Sequence, residues 1–237
     1  MSSEEETSEF NEEHPMVPGG ELDEETLEAL EEALRDMASP VIAEIFVKES
    51  CYYCQETIKL LSYFREKSPS VNGKKLFDFV VYDKEKDVEK FKQYGISRTP
   101  TVTLVEGRIR YTGIPSGEEI RSLVETIIRI SQNDSGLEES SKQTIKSINR
   151  KVYIEVIITP SCPYCPYAAL LANMIAFESY KSGNKSVIAD TVEAYENPDI
   201  ADKYNVMSVP VIAINGEVAF VGLPYEVDFV EKVKELS

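Results

Sequence analysis

The pattern of hydrophobic and polar positions is written twice along this 237-residue chain. Two continuous apolar runs, Val41–Val47 and Val152–Ile158, are rich in β-branched residues and predict strands that are covered on both faces. A helical pattern follows each run, over residues 53–67 and 164–181. Each copy then continues with a strand, a short charged helix, two strands and a last helix. The predicted order is therefore strand–helix–strand–helix–strand–strand–helix, twice.

Turn and capping residues support the same order. Gly95 and Asn205 fit the left-handed ends of the two short helices, because that conformation favours glycine and asparagine. The dipeptide Asn215-Gly216 predicts a tight hairpin, and Ser116 with Glu119 has the spacing of a capping box. The second strand and the short helix of the two copies are predicted over residues 76–82 and 85–94, and over residues 186–192 and 197–204.

The two copies align residue by residue. Cys51 falls on Cys162 and Cys54 on Cys165 at an offset of 111. Downstream, "QYGISRTPTVTL" at residues 93–104 falls on "KYNVMSVPVIAI" at residues 203–214. The chain therefore contains two copies of a unit of roughly 100 residues, a common domain size.

The copies define the predicted domain organisation. Residues 1–20 form an acidic tail that is expected to be disordered. Residues 22–37 have helical spacing of apolar positions and predict an amphipathic helix before the first strand. We expect an N-terminal unit at residues 21–132 and a C-terminal unit at residues 133–237.

Charge is concentrated near the N-terminus. The chain has 42 acidic and 25 basic residues, a net charge of −17, and residues 1–38 carry −13 of it. The nearly neutral remainder argues against nucleic acid as a partner. No apolar stretch approaches the roughly 18–20 residues of a membrane helix, and "MSSEEETSEF" is acidic where a secretory signal is basic. These features predict a cytoplasmic protein without a membrane partner.

All four cysteines occur in Cys-x-x-Cys pairs, "CYYC" at residues 51–54 and "CPYC" at residues 162–165. A structural zinc site of four cysteines usually separates its two halves by roughly 15–20 residues. Here 107 residues intervene, and each pair lies within a complete copy of the repeat. A strand, a Cys-x-x-Cys pair and a helix in that order are typical of redox chemistry.

The redox interpretation assigns a role to each cysteine. The first cysteine of each pair is predicted at the N-terminal end of a helix, where free N–H groups and the helix dipole stabilise a thiolate. The second cysteine lies one turn further and attacks the mixed disulfide, which releases the substrate. Cys51 and Cys162 are therefore the predicted nucleophiles, and Cys54 and Cys165 the predicted resolving cysteines. We expect the C-terminal pair to be the principal substrate-facing site.

These motifs resemble the thioredoxin superfamily. "CPYC" is similar to the glutaredoxin-type site, and "TPTVTL" (residues 99–104) and "VPVIAI" (residues 209–214) are similar to its cis-proline loop. Over residues 22–236 the chain resembles the tandem glutaredoxin-like protein disulfide oxidoreductases of thermophilic archaea and bacteria. The resemblance implies an α/β protein with two tandem thioredoxin-like folds, each a mixed β-sheet flanked by helices with its Cys-x-x-Cys at a strand-to-helix junction.

The resemblance also implies a substrate-binding loop in each unit. Pro100 and Pro210 are expected to be cis and to lie against the cysteine pairs, and the backbone of Thr99 and Val209 is expected to pair with an extended substrate segment. From the residues alone, each proline equally well opens a strand.

A glutamate precedes the cysteines at the same place in both copies. Single-domain thioredoxins often carry a buried acid six residues before the first cysteine, and this chain has Ile45 and Val156 there. Glu44 and Glu155 stand one residue earlier and would face the other side of a regular strand. They are candidate proton acceptors, with an ion-pair role as the alternative.

The expected function is protein disulfide oxidoreductase, an enzyme that reduces, forms or isomerises protein disulfides. The chain has no Gly-x-Gly-x-x-Gly motif after a strand, and its single histidine lies in the tail, so no bound cofactor or metal is expected. The resemblance implies electrons from a thioredoxin-reductase-like flavoprotein. The alternatives are a dedicated electron donor to a peroxiredoxin and a non-catalytic binding module.

Overall fold

The structure, a computed structural model, describes residues 14–237. Residues 1–13, most of the predicted tail, lie outside the described residues. The first unit consists of α1 (Glu24–Leu34), β1 (Val41–Val47), α2 (Tyr52–Lys67), β2 (Ser70–Val71), β3 (Lys74–Lys75), β4 (Phe77–Asp83), α3 (Val88–Tyr94), β5 (Thr101–Leu104), β6 (Ile109–Thr112), a 3₁₀ turn (Gly117–Glu119) and α4 (Ile120–Gln132).

The second unit repeats this order without the small β2–β3 hairpin and without the 3₁₀ turn before its last helix. It consists of α5 (Glu139–Lys146), β7 (Val152–Ile158), α6 (Cys165–Lys181), β8 (Val187–Glu193), α7 (Pro198–Lys203), β9 (Val211–Ile214), β10 (Glu217–Val221) and α8 (Glu226–Glu235). Across residues 14–237, no helix combines the length and the apolar character needed to cross a membrane.

Both units contribute to one eight-stranded sheet with the order β10-β9-β7-β8-β6-β5-β1-β4. In the first unit, β1 is parallel to β4 and antiparallel to β5, and β7 has the same relation to β8 and β9. The units join where β6 pairs in parallel with β8, with Ile109 opposite Ala189 and Thr112 opposite Val192. The expected fold of two tandem thioredoxin-like units is confirmed. The boundary between residues 132 and 133 stays a prediction, because the units share this sheet.

The strands with predicted bounds and the two helices that follow the cysteine pairs lie within two residues of their predicted positions. The helix predicted over residues 22–37 is shorter, since α1 begins two residues later and ends three residues earlier. The first short helix begins at Val88, three residues later than predicted. Gly95 and Asn205 have the expected positive φ, at 64° and 48°. The β2–β3 hairpin, which turns at Asn72 and Gly73, was not predicted because its strands have only two residues each.

Side chains of β1 alternate between two helical layers. Ala43 and Ile45 are fully buried in the main core with residues of α2 and α4, and Phe46 packs on the other face against Phe91 of α3 at 4.9 Å between ring centroids. Ile42 is exposed on that second face. The prediction that β1 is covered on both faces is therefore wrong at the start of the strand, where Ile42 is 61% exposed.

The predicted capping box at Ser116 and Glu119 does not form. Ser116 precedes the 3₁₀ turn, but its side chain caps no backbone N–H. Glu119 instead turns inward, is almost completely buried, and accepts a hydrogen bond from Ser122 Oγ. Spacing alone could not reveal this, because the burial of Glu119 depends on packing within the folded protein.

Residues 14–20 are packed on the first unit, which corrects the prediction of disorder for this part of the tail. Val17 is buried, and Gly20 N donates to Glu56 Oε2 at 2.7 Å. A Cβ at Gly20 would lie 2.0 Å from the backbone oxygen of Glu56, so glycine permits this close approach. His14 N donates to Tyr53 Oη at 2.6 Å, next to the first cysteine pair.

Buried polar contacts connect the units on both faces of the sheet. Asp190 of β8 accepts hydrogen bonds from Tyr153 Oη at 2.5 Å and from Thr112 Oγ1 of β6 at 2.9 Å, and its burial raises the pKa of its carboxyl. On the other face, Asn173 Nδ2 of α6 donates to Tyr111 Oη of β6 at 2.8 Å. Because buried polar groups are costly when unpaired, these contacts fix how the units meet.

Candidate active site

The first cysteine pair lies where β1 passes into α2. Cys51 is the N-cap residue of α2, and its Sγ accepts the backbone N–H of Cys54 at 3.1 Å. The two residues form a disulfide, with 5.2 Å between their Cα atoms. Sulfur at this position meets unpaired N–H groups at the positive end of the helix, as the sequence predicted, and that environment favours a thiolate in the reduced state.

The second pair has the same bond but a different local backbone. Cys162 and Cys165 form a disulfide with 5.5 Å between their Cα atoms, and Cys162 Sγ accepts the N–H of Cys165 at 3.2 Å. The helix α6 begins only at Cys165, and Cys162 lies in the turn before it. Pro166 occupies the first turn of α6, where the lack of an N–H costs no helical hydrogen bond.

Burial differs within each pair in the same way. Cys51 and Cys162 are each 7% exposed, and Cys54 and Cys165 are fully buried. An incoming sulfur therefore reaches the first cysteine of each pair more readily than the second. This difference favours Cys51 and Cys162 as nucleophiles.

The proline loops are built alike in both units. The Thr99–Pro100 and Val209–Pro210 bonds are both cis, as the family resemblance implied, and β5 and β9 begin at the next residue. Gly113 N donates to Pro100 O at 2.9 Å, and Gly222 N donates to Pro210 O at 2.7 Å. Each proline is thus tied to the glycine that follows the neighbouring strand.

A cavity of about 860 Å³ lies between the two units, and we refer to it as the inter-unit cleft. It brings Thr99 and Pro100 together with Cys51, as predicted for the first unit. Val209 lines the same cleft, whereas Cys162 is not among its lining residues. The second unit also contributes Tyr195, Glu196 and residues 206–208 to the lining.

Sequence reasoning did not identify the residues that close this cleft. His14 lines it and stacks on Tyr195 with 4.7 Å between ring centroids. Glu196 Oε1 accepts the N–H of Ile114 of the first unit at 2.6 Å. These contacts join residues 82 or more positions apart and leave no local pattern in the sequence.

Glu44 and Glu155 lie on the sheet face opposite the core that contains the cysteines. Glu44 Oε1 pairs with Lys90 Nζ at 3.4 Å. Glu155 accepts a hydrogen bond from Tyr204 Oη and lies 3.6 Å from Lys203 Nζ. These contacts favour the ion-pair alternative over proton transfer to sulfur.

Three buried carboxyls were not among the predicted site residues. Burial raises the pKa of Glu193 to about 7 and that of Glu196 to about 8. The charge of the Glu193 carboxyl also raises the pKa of Glu196. Burial also raises the pKa of Glu119 to about 8.

Glu119 also lies next to a contact between the two units. The backbone N of Glu118 donates to Pro160 O at 2.8 Å, and Pro160 is two residues before Cys162. The first unit therefore contacts the loop that leads to Cys162.

Glu119→Gln is expected to stabilise the protein at alkaline pH. The folded state holds the Glu119 proton up to pH of about 8, whereas the unfolded chain releases it near pH 4.5, so the stabilising contribution of this proton is lost as pH rises between those values. A pKa difference of one corresponds to about 1.4 kcal/mol. Urea unfolding should give the variant and the parent similar free energies of unfolding at pH 5. At pH 9 the free energy of unfolding of the variant should be larger.

The neighbouring Glu118→Gln is the matched control, because Glu118 is partly exposed and pairs with Arg121. It should shift the free energy of unfolding equally at both pH values. A constant difference between Glu119→Gln and the parent from pH 5 to pH 9 would show that Glu119 is ionised in the folded protein.

The side chains do not form a metal centre in the described part of the chain. Within residues 14–237, no group of three or more His, Cys, Asp or Glu side chains is arranged to hold a metal ion. All four cysteines are engaged in the two disulfides.

A family model described as thioredoxin domain matches residues 42–125 and again residues 152–235. A protein disulfide oxidoreductase from Aeropyrum pernix K1 has a solved structure with 52% sequence identity and a TM-score of 0.88, covering 90% of this chain and 93% of that chain. A thioredoxin from Methanocaldococcus jannaschii is 38% identical over 85 residues, which is 36% of this chain and 95% of that protein.

An alkyl hydroperoxide reductase from Pseudomonas aeruginosa is 28% identical over 110 residues. The match covers 46% of this chain and 20% of that protein. Together with the duplicated sheet and the two Cys-x-x-Cys disulfides, the matches settle the family. The chain belongs to the thioredoxin family, carries two tandem thioredoxin domains, and is a homologue of a protein disulfide oxidoreductase.

Proposed function

We propose that this protein catalyses thiol–disulfide exchange on protein substrates through both cysteine pairs. The observation that carries the proposal is that each pair forms a disulfide at the start of a helix with only its first cysteine accessible. The 52% identical protein disulfide oxidoreductase supports the same activity.

The exchange follows from the geometry. In the reducing direction, the thiolate of the first cysteine attacks a substrate disulfide, forms a mixed disulfide and expels one substrate thiolate. The thiolate of the second cysteine then attacks the first cysteine's sulfur, and this restores the internal disulfide and releases the second substrate thiol. Two electrons pass to the substrate, and the oxidising direction is the reverse. Thr99 and Val209 are proposed to position the substrate backbone.

Reduction of insulin disulfides by dithiothreitol tests the proposal. The protein should accelerate the reaction at least about tenfold, because a stabilised thiolate is available at neutral pH. Alkylation with iodoacetamide after reduction should abolish the acceleration. Alkylation of the oxidised protein is the control and should leave it intact, because all four cysteines are then in disulfides.

Acceleration that survives alkylation of the reduced protein would instead support the non-catalytic binding module.

We place the protein in the cytoplasm and propose a thioredoxin-reductase-like flavoprotein as its electron source. Transfer of electrons to a peroxiredoxin is the second candidate function, and the similarity to the alkyl hydroperoxide reductase supports it.

A further inference from the structure

The inter-unit cleft is built by both units rather than by the first unit alone. Arg98, directly before Thr99, donates from Nη1 to Asn197 Oδ1 at 3.1 Å and from Nη2 to Asp199 Oδ2 at 2.5 Å. The second unit therefore holds the proline loop of the first. Together with the contact between Glu196 and Ile114, these bonds fix the width of the cleft in the protein before a substrate binds.

The second unit also supplies one wall of the cleft. Residues 206–209 of this wall include Val206 and Met207, and Met207 is 94% exposed. A side chain so exposed contributes little to the core, and methionine adapts to partners of different shape. A volume of about 860 Å³ is near the upper end of the usual range of roughly 300–1,000 Å³ for binding pockets.

The charges in the cleft select among possible occupants. In the part of the chain that the structure describes, Lys48 and Asp202 are the charged residues of the lining, because burial raises the pKa of Glu196 to about 8 and keeps its carboxyl largely protonated at neutral pH. A small anionic disulfide such as oxidised glutathione finds little cationic surface there. The lining therefore carries little net charge, and a polypeptide with apolar side chains fits it.

The residues before the two prolines lie in this one cleft. Thr99 belongs to the same unit as Cys51, and Val209 belongs to the second unit. A peptide segment that contacts both Cys51 and Val209 would span the two units, and Met207, two residues before Val209, lines the same cleft. A small disulfide at Cys51 would leave that wall empty.

We propose that the inter-unit cleft binds an extended polypeptide with apolar side chains across both units, so that the second unit determines the substrate preference of the first cysteine pair. This inference rests on the proposed thiol–disulfide exchange and adds a substrate class to it. The second unit acts here through binding, and the electrons come from Cys51 and Cys54.

The test uses the full chain with Cys162→Ser and Cys165→Ser, reduced and freed of reductant. One probe is a 12-residue peptide of alanine, leucine and serine whose single cysteine is disulfide-bonded to thionitrobenzoate. The other is N-acetylcysteine amide in the same mixed disulfide. The Cys51 thiolate attacks the cysteine sulfur of the probe and expels thionitrobenzoate, and the Cys54 thiolate then releases the peptide or cysteine thiol. The absorbance of thionitrobenzoate gives the rate constant of a single turnover.

The parent should react at least about tenfold faster with the peptide than with the small probe, and Met207→Glu should lower this ratio about tenfold through the lost apolar contact. Met207→Leu should retain most of the preference. Val218→Glu is the matched control, since Val218 is 46% exposed on β10 outside the cleft, and it should keep the parental ratio.

Two results would overturn the inference. One is a parent that reacts equally with both probes, and the other is a Met207→Glu variant that slows both reactions equally. Failure of the parent to react even with the small probe would refute the proposed exchange at Cys51, and the inference would fall with it. The small probe therefore separates failure of the chemistry from failure of the binding site.

Discussion

Replacing both Cys51 and Cys162 with serine is expected to lower kcat/KM for insulin reduction by at least about 10³-fold, because no nucleophilic sulfur remains at either accessible position. The remaining cysteines, Cys54 and Cys165, are fully buried and have no first-cysteine partner. Kinetics under saturating dithiothreitol measure this loss. Circular dichroism and urea unfolding of the reduced proteins provide the control that the variant retains its fold.

The single variants rank the two pairs. Cys162→Ser should lower kcat/KM for folded insulin more than Cys51→Ser does. The reason is that Tyr164 and Tyr167 beside Cys162 are exposed, whereas Cys51 lies in the cleft. The reverse order would make the N-terminal pair the principal site. Substantial activity in the double variant would remove the exchange mechanism altogether.

The second large effect concerns the buried cysteines. Cys54→Ser, made in the Cys162→Ser, Cys165→Ser background, should form the mixed disulfide and then stop, so that turnover falls about 100-fold or more. Intact-mass measurement should find about one substrate adduct per protein. The adduct should disappear on treatment with dithiothreitol, which supplies the thiol that Cys54 no longer provides.

Cys165→Ser in the Cys51→Ser, Cys54→Ser background is the corresponding variant of the second unit and should behave alike. The control has all four cysteines replaced by serine and should collect no adduct. Rapid turnover without an adduct in Cys54→Ser would mean that an external thiol cleaves the mixed disulfide at Cys51 and that Cys54 is not the resolving cysteine.

Local sequence patterns were sufficient for the elements and for the chemistry of each pair. The β-branched runs at Val41–Val47 and Val152–Ile158 became strands because continuous apolar character is stable only between two covered faces. The Cys-x-x-Cys spacing placed two sulfurs within bonding distance at the start of a helix. The exposed Ile42 is the exception, since coverage of a strand depends on which distant elements pack against it in the folded chain.

Charged residues were less predictable than apolar ones. Glu119 had the spacing of a cap but became a buried carboxyl, and Glu44 and Glu155 became partners of lysines rather than neighbours of the cysteines. A carboxylate takes whichever partner the folded chain brings near, and that partner is not encoded in the spacing around it.

The sequence by itself determined two copies of a strand–Cys-x-x-Cys–helix unit, the order of elements within each copy, and the proline that precedes the third core strand. Only the tertiary structure decided that β6 and β8 pair, that the second unit holds the loop before Pro100, and that Cys51 opens into a cleft shared by both units. The physical reason is distance along the chain. Strand and helix patterns arise from neighbours a few residues apart, whereas the cleft depends on contacts between residues that lie about 80 to 100 positions apart in separate copies.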